Sequence, residues 1–210
     1  MLQYYVLYPF IIHMSTYWLT CIFFFALDFK YLDPNHANWK KYGKAVITSL
    51  FNQVFISLPT LYLLSNHLKE SVEKSSYDSI MVLLVKIFLI VNLSNFLFYW
   101  CHRLLHKKYI YKYIHMKHHE FIEPIAVAAF YANPIEHLFA NTLCFLIPFI
   151  IIGSSYYMMI FMLTVGTFVT VLAHITYYAN NEHVVHHKLY KYNFGFGGYI
   201  DMIFNTYKLR

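Results

Sequence analysis

Five long apolar runs, separated by short polar stretches, leave this chain little choice of solvent. They cover about residues 2–27, 45–64, 79–100, 135–152 and 156–178. A helix needs about 20 apolar residues to cross the hydrocarbon layer, and it satisfies its own backbone N–H and C=O groups while doing so. Composition agrees: 59% of the 210 residues are hydrophobic and 12% are charged, too few charges to clothe a water-soluble surface. The expected fold is all-α, a multi-pass transmembrane helical bundle of about four or five spans with a cytosolic, histidine-rich helical cap. The run at 135–152 is short for a span and is also readable as a shallow hairpin partner of the next, across Gly153.

The net charge of +6 sits mainly between the runs. No basic stripe interleaved with stacking aromatics is present, so nucleic acid is excluded as a partner and the bilayer is favoured. Lys and Arg alternate in density along the chain. The stretch Asp28–Lys44 has four, Cys101–Pro124 five and the tail from Ala179 four, against two in Ser65–Asp78 and none in the Gly153 turn. That bias places the amino terminus outside, and the Cys101 region and the tail together in the cytosol. The first run lacks a basic start and reads as a retained span rather than a cleaved leader. Pro59 predicts a kink in the second span. Lys86, the one charge in the third, predicts snorkelling or a bundle interface. Cys21, Cys101 and Cys144 fit no disulfide or zinc spacing and read as small buried hydrophobes.

Thirteen histidines are present, ten of them between His102 and His187. Three groups have ligand spacing: His102-x-x-x-His106, His115-x-x-His118-His119 and His183-x-x-His186-His187. Intervals of three and four put side chains on one face of a helix. All three groups fall in segments assigned to the same side of the membrane, so they can converge at one mouth of the bundle. Imidazole suits iron, copper and zinc. Eight or more rings exceed the coordination of one ion, which points to two. No Glu-x-x-His occurs, so a carboxylate-bridged site of the four-helix type is not expected. His13, His36 and His67 read as ordinary core or interface residues.

The stretch His102-Arg103-Leu104-Leu105-His106 followed by Tyr111 to Phe121 resembles the core of the fatty acid hydroxylase superfamily. Tyr131-Ala132-Asn133-Pro134-Ile135-Glu136-His137 resembles its next element, and His174 its H-S-G element. His183 to His187 resembles its last box, and Asn193-Phe194-Gly195 with Asp201 to Thr206 its closing elements. The resemblance covers about Tyr99–Tyr207 and is nearest in wording to the sterol methyl oxidases. It implies a non-haem di-iron oxygenase that oxidises a C–H bond of a sterol or fatty-acyl lipid at the endoplasmic reticulum. The implied metal ligands are His102, His106, His115, His118, His119, His174, His183, His186 and His187. Residues 1–100 would then supply transmembrane spans and 101–210 the catalytic region, in one integrated domain.

The chain departs from the pattern at four places. Asn133 stands where that branch has His, and His137, one turn on, is the candidate substitute. Ile175-Thr176, Val184 and Ile200 replace other family residues. Glu136, Asp201 and Glu120 are candidates to orient the ligands.

The resemblance implies dioxygen as co-substrate and electrons from outside. No G-x-G-x-x-G nicotinamide or flavin fingerprint is present. The expected source is NAD(P)H through a separate reductase or b-type cytochrome, with Lys107, Lys108, Lys112 and Lys117 as its docking surface. The rival readings are a desaturase of the same superfamily and a non-enzymatic metal-binding membrane protein.

Overall fold

The computed structural model describes residues 3–28, 37–75, 78–176 and 181–209. Lys30, His36, Tyr177 and Tyr178 lie outside them. Among the described residues ten helices follow in order: α1 (Tyr8–Asp28), α2 (Ala37–Asn52), α3 (Leu58–Lys74), α4 (Ile80–Leu105), α5 (Lys108–Ile110), α6 (Pro134–Glu136), α7 (Cys144–Ile152), α8 (Tyr156–Ala173), α9 (Glu182–Leu189) and α10 (Tyr199–Ile203). Short π-helical and 3-10 turns join several of them, and no strand is found among the described residues. The expected all-helical bundle is therefore the observed one. Five helical stretches among the described residues are long and apolar enough to cross a membrane: Gln3–Ala26, Trp39–Lys74, Ile80–Leu105, Pro134–Ile152 and Tyr156–Ala173. Their outward faces carry Phe23, Leu63, Ile80 and Ile151, each more than two-thirds exposed, as a lipid-facing surface would.

The second stretch is longer than its apolar run. Helix continues through the polar residues from Ser65 to Lys74, which the sequence left outside the apolar span. Its 36 residues reach about 54 Å at 1.5 Å per residue, well past a hydrocarbon layer of about 30 Å. Pro59 does not end this helix. A π-helical turn, Gln53–Ser57, lies just before it and absorbs the register change that a missing N–H imposes. Lys86 is held within the bundle by Asp78, Nζ to Oδ2 2.6 Å, and by Ser75 Oγ at 2.8 Å. This cluster and the Gly153 turn meet at one end of the bundle. The C-terminal ends of α4 and α8 therefore reach the other end.

Between α5 and α6 the chain from Pro124 to Ala132 is buried throughout, although only a 3-10 turn is regular within it. Irregular backbone at this depth needs partners, and the spans provide them. Tyr17 Oη and Ser49 Oγ both donate to the Val127 carbonyl, at 2.9 and 3.2 Å. Asn52 Nδ2 donates to the carbonyls of Phe130 and Ala132, at 3.1 and 3.0 Å. Thr176 Oγ1 donates to Pro124. Tyr17 also stacks on Phe130, and Ala45, Val171 and Ile175 pack around the same segment. Asn52→Leu should leave the buried Ala132 carbonyl unpaired, while Phe130 O keeps the Ala132 N–H, and cost about 2 kcal/mol. The check is thermal unfolding in detergent, where a melting temperature within a degree of wild type would contradict this role.

Candidate metal centre

The nine sequence-selected histidines meet at the α4 and α8 C-terminal end and sort into two groups. His102, His106, His115, His119 and His186 form one, and His118, His174, His183 and His187 the other. Within each, one nitrogen per ring lies within 4.8 Å of every other. The groups adjoin, with His119 and His187 ring centroids 4.5 Å apart and His118 and His119 5.8 Å apart.

Local structure explains the sorting. His102 and His106 are one turn apart at the end of α4 and point the same way. His183 and His187 share a face of α9, while His186, between them, faces the other group. The second box does the same with the groups exchanged: His115 and His119 pair, and His118 crosses over. It does so from a π-turn and a 3-10 turn, Tyr111–His115 and His118–Glu120, not from one helix. Each H-x-x-H-H box thus serves both groups, where spacing alone suggested one shared face. His174 joins from the C-terminal end of α8.

The ring orientations are fixed by carbonyl oxygens, which can only accept. His102 Nδ1 donates to Phe194 O at 2.8 Å, and His186 Nδ1 to Tyr192 O at 2.6 Å. His118, His174 and His187 donate to Tyr131, Thr170 and Phe121, at 3.3, 2.8 and 2.9 Å. Each of these rings therefore presents an unprotonated Nε2 inward. The facing Nε2 atoms of His118 and His174 are 3.3 Å apart. Two lone pairs at that distance repel unless a cation lies between them. A proton is a poor candidate. Burial first, then the neighbouring rings, pushes His106 down to about 2 and His118 to about 3, and burial holds His174 at about 4. The donor set fits a divalent metal ion in each group.

Of the supporting acids, Glu136 is buried with Oε1 2.9 Å from His115 Nδ1, off the line of a straight hydrogen bond. Asp201 touches no imidazole. It accepts from the N–H groups of Phe194 and Gly195, at 2.7 and 2.8 Å, and from Thr206 Oγ1 at 2.8 Å. It holds the loop whose Phe194 carbonyl orients His102. A Cβ on Gly195 would meet Asn95 Oδ1 at 2.9 Å and Asp201 Oδ2 at 3.0 Å, so this position needs glycine. Glu120 is exposed and accepts from Tyr131 Oη at 2.8 Å, away from the rings.

His137 belongs to neither histidine group, and Asn133 makes a local contact of its own. Asn133 caps α6, its Oδ1 accepting from Ile135 N at 2.9 Å. His137 is turned to Ser57 Oγ, 2.9 Å from its Nε2, because it follows Glu136 by one residue and so leaves the helix on another face. His13 pairs with Thr167, and His67 is exposed. Asn95 was missed. It sits in an apolar span and clamps the Phe196 peptide from both sides, at 2.7 and 2.9 Å. An amide facing inward from a span was the available signal.

A cavity of about 470 Å³ opens against His102, His115, His118, His174 and His183. Its remaining wall is mostly apolar, from Phe98, Leu105, Ala140, Phe145, Val169 and Phe196 among others.

The family model for fatty acid hydroxylase matches residues 87–206, more than half of the chain and all nine histidines. The chain belongs to the fatty acid hydroxylase family. Among curated relatives, it is 30% identical over 173 residues to fatty acid hydroxylase domain-containing protein 2 of Homo sapiens, covering 79% of this chain and 52% of that one. It is 36% identical over 138 residues to methylsterol monooxygenase 1 of Gallus gallus, covering 61% and 47%. It is 35% identical over 126 residues to sphinganine C4-monooxygenase 1 of Arabidopsis thaliana, covering 52% and 48%. The chain spans about half the length of these relatives. No solved structure matches it.

Proposed function

We propose that this member of the family is a membrane-bound oxidoreductase that hydroxylates a C–H bond of a sterol or fatty-acyl lipid. The observation that carries the reading is the pair of adjoining histidine groups opening on an apolar cavity. Two iron ions, one in each group, would supply dioxygen activation and oxygen transfer. His102, His106, His115, His119 and His186 would hold one, and His118, His174, His183 and His187 the other. Neutral imidazoles suit this role because they add no negative charge as a metal changes oxidation state. The backbone carbonyls hold the rings in place, and Glu136 orients His115. The cavity wall keeps water from the alkyl group and admits substrate from the bilayer. Asp201 acts as a positioning residue through the Phe194 loop.

The reaction consumes one dioxygen, two electrons and two protons for each alcohol and water formed, so a donor is required. A groove of about 580 Å³ reaches His106 from the other side, lined by Arg103, Lys107, Tyr111, Tyr190 and Lys191. Its basic rim and the absence of any acid from its lining favour an acidic donor, a b-type cytochrome or reductase passing electrons from NAD(P)H. The Lys and Arg bias supports a cytosolic position for this face, and the relatives' lipid substrates support the endoplasmic reticulum. Residues 1–100 and 101–210 are read as one integrated domain, since Tyr17 and Asn52 bond to the second part.

Reversing the groove with Lys107→Glu and Lys191→Glu should slow donor-supported turnover about tenfold and leave dithionite-supported turnover unchanged. Equal effects on both would remove the groove as the docking face. The reaction itself is tested with ¹⁸O₂ and candidate sterols and acyl lipids. Hydroxylation puts one ¹⁸O in the product, whereas loss of two hydrogens without label would establish the desaturase reading. Metal transport is disfavoured because the rings gather at one end of the bundle rather than along a path through it.

A further inference from the structure

Besides its histidines, the cavity wall offers five hydrogen-bonding side chains, Glu136, Asn141, Thr170, Asn181 and Glu182, and Glu182 accepts from Tyr207 Oη at 3.5 Å. Asn181 uses both ends of its amide, donating to Leu172 and Ala173 carbonyls and accepting from His183 N. Thr170 donates to Gly166 O, and Glu136 lies against His115. Asn141 is different. Its half-buried side chain lines the cavity from an apolar span and has no hydrogen-bond partner among the described residues. An amide in that position is costly unless something outside the protein completes it.

Two further features limit what that can be. A second space of only about 40 Å³ lies behind Asn141, sharing Phe145, Gly166 and Thr170 in its wall. It is too small for a lipid chain, so the substrate ends at this wall. The main cavity has no Lys or Arg in its lining, and its two ionisable acids are Glu136 and Glu182. A carboxylate or phosphate finds no countercharge there. A neutral hydroxyl does fit, because it both donates and accepts, as a carboxamide does. Asn141 follows Glu136 by five residues in one helical stretch, about 7.5 Å along the axis.

We propose that Asn141 binds a neutral hydroxyl of the lipid substrate, at the same end of the molecule as the carbon that faces the histidines. The inference rests on the lipid-oxidising reading and deepens it by naming the recognised group. Its test is retention of radiolabelled cholestanol by the iron-loaded full chain in detergent, with unlabelled cholestanol, cholestane, hexadecanol and hexadecanoate as competitors. Cholestanol should compete about tenfold better than cholestane, and hexadecanoate should not compete. Hexadecanol competing in place of cholestanol would keep the hydroxyl and change its source from a sterol to an alkyl alcohol. Asn141→Leu should bring cholestanol down to the level of cholestane, leave cholestane unchanged and retain bound iron. Asn141→Ser should recover part of the preference. Equal binding of the two sterols, or a loss shared by both in Asn141→Leu, would overturn the proposal while leaving the cavity as a lipid site. Failure of wild type to retain any sterol or alcohol would take the lipid-site reading down as well.

Discussion

His118→Ala is expected to remove one metal ion per chain, leave the other in place and lower lipid oxidation by at least about 100-fold. Loss of a group that merely orients a ligand costs roughly 10–100-fold in metal affinity or activity, and a lost ligand costs more. The test has an internal contrast. His119 is the next residue, yet its ring belongs with His186 in the other group. His119→Ala and His186→Ala should therefore deplete the same ion, and His118→Ala and His174→Ala the other. Combining two substitutions within a group should add little to either alone, since the ion is already gone. Metal content and a spectroscopic signature distinguish the two depleted forms. Identical residual signatures for His118→Ala and His119→Ala would refute the assignment into two groups.

Asp201→Ala should be the most damaging change outside the rings. The side chain is fully buried and accepts three hydrogen bonds, two of them from backbone N–H groups that have nowhere else to turn. Removing it should cost about 3 kcal/mol or more in detergent unfolding. Asp201→Asn, which keeps one acceptor oxygen, should cost less. The loop it secures carries the Phe194 carbonyl that fixes His102, so metal should leave the five-histidine group before the four-histidine group. Loss of both ions together, or of neither, would show that the loop does not act through His102.

Much of the bundle was legible because lipid imposes a simple rule: apolar length makes a span. The rule says little about polar helix outside the hydrocarbon, which is why Ser65 to Lys74 read only as a polar stretch. It also says nothing about Pro124 to Ala132. That stretch is buried by contacts with Tyr17, Ser49 and Asn52 from far away in sequence, and no local pattern encodes such partners. The histidines were conspicuous by spacing, but their division was not. It depends on π and 3-10 turns that alter the angle between His115 and His118, and periodicity assumes a regular helix. Asn133 and His137 illustrate the same limit. Their positions suited ligands, while the observed N-cap and the bond to Ser57 depend on where α6 begins.

Anaerobic titration of the metal-free full chain with ferrous iron tests the central claim most directly. The two histidine groups predict a break at two equivalents per chain, with nitrogen-dominated coordination at the iron absorption edge. A break at one equivalent, or none, would contradict it.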